Sequence, residues 1–384
     1  MDKRKSFVAV HAGAGYHSTS KETEYRSVCK DACKQAMEIL RNEGTSLAAV
    51  TKAVSVLEDS PLTNAGLGSN LTQDGIVECD ASVMDGLTLT SGAVGCITDV
   101  QNPVLVAKQL VQKQVQGGLS LGRIPPSILV GPGARQWAEE QGITLTAEGG
   151  LVTESSRRTY LKYKRKLDHQ TALMEKRQTA DDTVHKKMKT GKDDLECGES
   201  SGVQDTVGCV CVDGDGNMAA ACSSGGIWMK HRGRMGPAAH YGVGSWAHNG
   251  CCDGKPGVAV VSSGGGEHLI KTFLAKTCAD SVQKEPNASL AVSSTFKDNF
   301  LESEFLSGVE DKHGGVLVLK HLMEDDGFRE AEVLWAHTTD SMCIGYMLET
   351  HSKPTTFVSR LPESSLPGKS FAMEGRILNF DQSS

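Results

Sequence analysis

Aromatic side chains are scarce in this chain: 4 tryptophans, 6 tyrosines and 9 phenylalanines are spread over 384 residues. With 42 glycines beside them, the core must pack through small residues joined by many tight turns. Long apolar runs are missing as well. Stretches such as Gly257-Val-Ala-Val-Val261 and Val316-Leu-Val-Leu319 suit a strand and fall far short of a bilayer span, so no membrane partner is expected. Nor is there an excess of positive charge. A formal net charge of −7 argues against direct nucleic-acid binding by the molecule as a whole. No secretory leader is legible: Met1-Asp-Lys-Arg-Lys5 is basic, but the apolar stretch Phe7-Val-Ala-Val10 stops at His11. A protein that is not secreted is expected.

Metal and nucleotide signatures are also lacking. The 12 cysteines contain no Cys-x2-Cys pair matched by a second pair or by histidines, so no zinc is expected. Cys29 and Cys33 stand four apart, Cys209 and Cys211 alternate, and Cys251 adjoins Cys252; buried, reduced thiols explain them. Asp213-Gly-Asp-Gly-Asn217 mimics the opening of a calcium loop, yet Met218 stands where glycine is needed, which excludes calcium. Rossmann and P-loop patterns are missing, and no Gly-x-Ser-x-Gly nucleophile elbow is recognisable.

What is present alternates strands with helices in both halves and predicts a layered α/β protein. Phe7 to Val10 reads as a buried strand running into the loop His11-Ala-Gly-Ala-Gly15. Thr19 and Glu22 have capping-box spacing ahead of a helix through Leu40, and Ser46 is placed to cap a second helix through Leu57. Strands are expected over 76–84 and 92–97, then a helix from Pro103 through Val115. Further strands fall at 206–212, 218–223, 257–262, 314–320, 332–338 and 341–348, with a helix from Glu267 to Ala279.

The segment 154–192 differs in kind. It holds twelve Lys/Arg against five Asp/Glu, a local +7 that leaves −14 for the remainder. Tyr160, Tyr163, Leu167 and Met174 give it a thin helical stripe, so 154–200 reads as a partly helical, mobile, basic insertion. Lys162-Tyr-Lys-Arg-Lys166 and Lys186-Lys-Met-Lys189 have the form of a split nuclear-import signal. An import receptor engaging 162–189 and residence in nucleus and cytoplasm are therefore expected.

The chemistry concentrates at Asp205-Thr206-Val207-Gly208. A threonine opening an apolar strand is an ordinary strand start unless its hydroxyl can cut the bond before it. Such a cut frees an α-amine with a reference pKa of about 7.7–8.0, able to take the hydroxyl proton. Nucleophile and base then come from one residue, and the site needs only an oxyanion hole and an anchor for the substrate.

Several motifs in order supply that company. His11-Ala-Gly-Ala-Gly15, Asn64-Ala-Gly-Leu-Gly-Ser-Asn70, Asp74-Gly75, Glu78-Cys-Asp80 and Met84-Asp-Gly86 precede the threonine, and Ser223-Ser-Gly-Gly226, Gly233-Arg234 and Ser263-Gly-Gly-Gly-Glu267 follow it. In these the chain resembles the type 2 asparaginase family of N-terminal-nucleophile hydrolases, most closely its threonine aspartase branch, over residues 6–150 and 203–350. The resemblance implies a four-layer αββα sandwich, self-cleaved between Asp205 and Thr206 into segments 1–205 and 206–384, with two such αβ pairs associating. It implies Thr206 as nucleophile, Ser224 in place of a family threonine beside it, and Asn64 bonded around it. Ser263 and the Gly264 amide would form the oxyanion hole, and Gly13 would support the site through its backbone. Arg234, with Gly225, would bind the substrate, a guanidinium clamping a carboxylate. No cofactor is implied beyond a structural sodium held by carbonyls near the first glycine loop.

One departure narrows the substrate. The family's asparaginases place an aspartate three residues after the clamping arginine to hold a free amino group; here that position is Pro237. A mid-chain aspartate carries no ammonium, and the segment Ala336-His-Thr-Thr-Asp-Ser-Met342 also resembles the endopeptidase branch. The expectation is a threonine endopeptidase that cuts nuclear proteins after aspartate. The alternatives are an asparaginase or isoaspartyl peptidase acting on small molecules, a glycosylasparaginase, which the missing leader disfavours, and a non-catalytic protein using its basic arm.

Overall fold

The structure, a computed structural model, describes residues 5–181, 206–250, 254–323 and 329–379. Strands are β1 (Phe7–Gly15), β2 (Cys79–Asp85), β3 (Thr90–Ile97), β4 (Ile128–Val130), β5 (Val207–Val212), β6 (Met218–Ser224) and β7 (Ser245–His248). The remainder are β8 (Gly257–Gly264), β9 (Gly314–Met323), β10 (Arg329–His337), β11 (Ser341–Leu348), β12 (Thr355–Arg360) and β13 (Ala372–Asn379). Helices are α1 (Glu22–Arg41), α2 (Ser46–Glu58), α3 (Pro103–Gln116), α4 (Gly131–Glu140), α5 (Glu154–Asp181), α6 (Gly266–Thr272), α7 (Leu274–Lys284) and α8 (Ala288–Ser294). Among the described residues no helix is long and apolar enough to cross a membrane.

An eight-stranded sheet runs β12-β11-β1-β5-β6-β2-β3-β4, and a five-stranded sheet runs β13-β10-β9-β8-β7. Residue alternation explains why the central strands of the larger sheet are apolar on both faces. Val8 and Val10 of β1 join a core built with α1, α2 and α3, whereas Phe7 and Ala9 join a second core shared with β8, β9 and α7. Strands β5 and β6 divide in the same way: Cys209 and Ala221 face the helices, and Val210 and Ala220 face the smaller sheet. The fold is thus mixed α/β, with two facing sheets and helices packed on them.

Small residues make this packing close. A Cβ at Gly92 would fall 2.1 Å from the Ala107 carbonyl, so α3 rides directly on β3 where no side chain intervenes. The nine described cysteines are all buried, and burial raises the thiol pKa of Cys33, Cys209, Cys211 and Cys278.

Several local readings are corrected. Thr19 makes no capping box with Glu22; Thr19–Lys21 forms a short 3-10 turn, and α1 starts without a side-chain cap. Thr45, not Ser46, caps α2 by accepting from the Ala48 amide at 3.2 Å. The Ser46 amide is drawn instead to Asp213 Oδ2 at 3.0 Å, whose other oxygen closes the β5–β6 turn through the Asp215 and Asn217 amides. The helix expected from Glu267 to Ala279 is two helices, because Phe273 adopts a left-handed conformation with φ 46° and ends α6. The strand expected from residue 76 begins at Cys79.

The basic insertion is helical through Asp181, and two ring anchors tie it down. Tyr160 donates to the Gln73 carbonyl at 3.0 Å, and Tyr163 stacks on Trp228 with centroids 3.8 Å apart. Leu167 and Met174 are exposed. The second half of the import signal, the end of the 154–200 segment, Cys251-Cys252 and Asp205 lie outside the described residues.

Candidate active site

Thr206 stands just ahead of β5, and its strand explains what surrounds it. β5 pairs with β6, Val207 opposite Ser223, so Ser224 at the end of β6 comes beside the threonine. Thr206 Oγ1 donates to Ser224 Oγ at 3.1 Å, and both residues are buried. Ser224 Oγ also accepts the Gly226 amide at 3.0 Å, which holds its lone pairs toward Thr206. The Thr206 amide donates to Ser263 Oγ at 3.3 Å, and the Ala14 amide reaches the same oxygen at 2.8 Å. Ser263 therefore sits against the nitrogen that would become the α-amine.

Asn64 fastens the turn after β6. Its Nδ2 donates to the Gly226 carbonyl at 2.8 Å, its Oδ1 accepts the Asn70 amide, and its carbonyl accepts the Gly225 amide. Gly226 has φ 68°, a left-handed conformation that suits glycine, and a Cβ there would press on Arg234 and Lys230. A Cβ at Gly225 would fall 2.5 Å from Asn64 Oδ1, so Gly225 backs Asn64.

A cavity opens over these groups, lined by Asn64, Thr206, Ser224, Gly226, Ile227 and Arg234 together with Pro237, Gly264 and Gly266. Five of the sequence-predicted residues meet there: Thr206, Asn64, Ser224, Gly264 and Arg234. Ser263 reaches Thr206 from behind, while Gly13 and Gly225 support the site without lining it. Gly13 lies at an irregularity in β1 with φ 115°, and its amide points at His11 Nδ1. A larger basin, with about 940 Å³ of empty space against about 220 Å³, lies among Lys297, Glu302, Glu310 and Lys369. It holds none of the predicted residues and mixes both charge signs, so the chemistry belongs to the smaller cavity.

Electrostatics favour an anion at the Arg234 end. Arg234 Nη1 and Nη2 are buried and donate no hydrogen bond among the described residues. Nε donates to Glu267 Oε1 at 2.9 Å; the same oxygen lies 2.8 Å from Nη2, off the direction of its N–H bonds. Lys230 is buried behind Gly226 and donates to the Glu78 carbonyl at 2.6 Å. Asp80 is buried beside both cations and accepts the Cys96 and Gly236 amides; burial raises its pKa, against the pull of Lys230 and those amides. Among the described residues no carboxylate lines the cavity itself.

Sequence reasoning missed His11, Lys230, Asp80 and Glu267 as parts of this surround. His11 is fully buried, with burial lowering its pKa to about 3. Its Nδ1 faces the Gly13 amide, and Nε2 makes no hydrogen bond to a described residue although the Thr206 backbone lies beside it. Glu267 carried a signal, since it closes the Ser263-Gly-Gly-Gly-Glu267 motif. In the first glycine loop the Ala12 and Gly15 carbonyls face His17 Nε2 and the Ser341 hydroxyl at 3.4 and 3.3 Å, which leaves each a second lone pair.

A family model described as asparaginase matches residues 4–355, nearly the whole chain. The chain belongs to the type 2 asparaginase family. Members are hydrolases of the N-terminal-nucleophile superfamily, and the buried threonine at the head of β5 fits that chemistry. Among similar family members, the isoaspartyl peptidase/L-asparaginase of Xenopus laevis is 31% identical over 315 residues, covering 82% of this chain and 86% of its own. The protein of the same name from Mus musculus is 33% identical over 270 residues, 70% of each chain. The isoaspartyl peptidase of Salmonella typhimurium is 33% identical over 280 residues, covering 71% of this chain and 77% of its own.

Proposed function

We propose that the chain is a threonine endopeptidase that activates itself by cutting the Asp205–Thr206 bond and then cuts protein substrates after aspartate. One observation carries this reading: Thr206 Oγ1 lies 3.1 Å from Ser224 Oγ in a cavity whose walls include Arg234 and the uncharged Pro237. The Thr206 hydroxyl attacks the Asp205 carbonyl, the amide nitrogen leaves as the α-amine, and water hydrolyses the resulting ester. The freed amine then serves as base for the same hydroxyl in each later turnover. Ser224 orients the hydroxyl, Ser263 the nitrogen, and Gly264 offers an amide where the oxyanion forms. The Arg234 donors left over at the cavity suit the aspartate carboxylate. A free amino-acid substrate would also need an anion for its ammonium, and no described carboxylate lines the cavity.

The second reading, an isoaspartyl peptidase or asparaginase acting on small molecules, draws on the names of the relatives. Those names favour it more directly than they favour an endopeptidase. Two measurements decide. Intact mass of the purified protein should give fragments meeting at 205/206, the second beginning with Thr206. Peptides with one internal aspartate should then be cut much faster than asparagine releases ammonia; comparable rates would overturn the endopeptidase and support the second reading.

The same proposal includes an αββα arrangement, supported by two facing sheets with helices on each. It further takes in association of two αβ pairs, and nuclear import through residues 162–189 to reach nuclear protein substrates.

A further inference from the structure

A guanidinium has two edges that can take a carboxylate: a side edge formed by Nε and one Nη, and an end edge formed by both Nη atoms. Here Glu267 Oε1 holds the side edge of Arg234, 2.9 Å from Nε and 2.8 Å from Nη2. The end edge is enclosed by glycines. A Cβ at Gly226 or Gly236 would fall 3.1 or 2.8 Å from Nη1, and one at Gly266 would fall 2.3 Å from Nη2. Gly226 and Gly266 line the cavity together with Thr206, so the end edge is the one on the cavity side. Glu267 approaches from solvent, its side chain 57% exposed against 14% for that of Arg234.

We propose that Glu267 is a positioning residue that fixes the rotation of the Arg234 guanidinium and reserves its end edge for the aspartate of the substrate. The inference rests on the reading of Arg234 as the substrate's carboxylate anchor. Without Glu267 the Nε–H loses its acceptor and the guanidinium can shift from its position between the glycines, so binding weakens while the Thr206 chemistry is left intact. A charge that merely competed with substrate would act in the opposite direction.

Steady-state cleavage of a peptide with one internal aspartate, by the self-processed full chain, separates these roles. Glu267→Ala should raise KM about tenfold with kcat within about twofold. Glu267→Gln keeps a carbonyl acceptor for the Nε–H and should restore KM to within about threefold of the parent. Glu267→Asp, one methylene shorter, should behave like the alanine variant. Melting temperature and completeness of self-cleavage should stay at parental values in all three; losses that track KM would mean a merely structural role and overturn the proposal. Unchanged KM in every variant would overturn it too, as would a lower KM in the alanine and glutamine variants. Should Glu267→Ala fail to fold, the contrast between glutamine and aspartate decides in the same way. Arg234→Ala tells the anchor from its support. If its KM is unchanged, the anchor reading falls; if its binding is lost while Glu267→Ala binds normally, only the positioning role falls.

Discussion

Replacing Glu58 with glutamine should stabilise the protein, and by more as pH rises. Glu58 ends α2 and is fully buried; Oε1 accepts the Val104 amide at 3.0 Å, while Oε2 makes no hydrogen bond to a described residue. Burial pushes its pKa from 4.5 up to about 8, against the pull of the Ser223 hydroxyl and the Val104 amide. Ser223 lies near enough to act on the charge, but its own hydroxyl also closes no hydrogen bond. The folded pKa exceeds the unfolded one, so this carboxyl contributes most below pH 4.5, and stability drains away as pH climbs toward 8. At about 1.4 kcal/mol per unit, the cost is about 3 kcal/mol at pH 7 and about 5 kcal/mol above pH 8. Glutamine offers the same oxygen to Val104, gives Ser223 a donor, and has no proton to lose. Urea unfolding from pH 5 to 9, in a Thr206→Ala chain so that one continuous polypeptide unfolds, measures the difference. It should be near zero at the acidic end and grow with pH. A constant offset, or destabilisation throughout, would refute a carboxyl that stays protonated in the fold.

Other outcomes follow from the site and its surround. Thr206→Ala should leave the chain whole on a denaturing gel after long incubation, whereas Thr206→Ser should retain part of the cleavage. Ser224→Ala removes the partner of the nucleophile at 3.1 Å and should slow peptide turnover roughly 10²-fold, read as kcat. Three buried histidines, His11, His17 and His337, are held neutral by burial, with pKa values lowered to about 3, 4 and 4. Their stabilisation is complete above pH 6.5 and falls with pH below it; at pH 5 each costs about 2 kcal/mol, so melting temperature in a Glu58→Gln chain should drop between pH 7 and 5. Tyr163→Ala breaks the stack on Trp228 and should alter tryptophan emission and speed limited proteolysis within α5; unchanged digestion would mean that other contacts hold the helix.

The parts of this site that could be read from the chain are those written as local motifs. Asn64, Thr206, Ser224, Arg234 and Gly264 each sit at a strand end or tight turn, where glycine patterns mark the backbone. Sheet pairing then gathers them round one cavity. Strand cores such as β5 and β8 were equally legible from their unbroken apolar runs. Other features depend on neighbours distant in sequence. His11 opens a quoted motif, but its place with Nε2 beside the Thr206 backbone depends on the pairing of β1 with β5. Asp80 belongs to a quoted motif, but nothing local in the sequence shows that it and Lys230 are buried beside Arg234. Strands β12 and β13, mixed in polarity and largely outside the cores, carry no period strong enough to announce them, and the break at Phe273 shows in no proline or glycine.

The larger sheet interleaves strands from either side of residue 205: β1 lies between β11 and β5, and β2 pairs with β6. A cut before Thr206 would therefore divide the chain without dividing the molecule, because three strand seams already stitch the pieces together. Its effect would come only on unfolding. An uncut chain finds its own strands within one polymer, at a rate independent of concentration, whereas a cut one would need two separate chains to meet and thread the same sheet. Maturation would thus turn a refoldable protein into one that is durable only while it remains folded, its lifetime set by the barrier to opening rather than by an equilibrium.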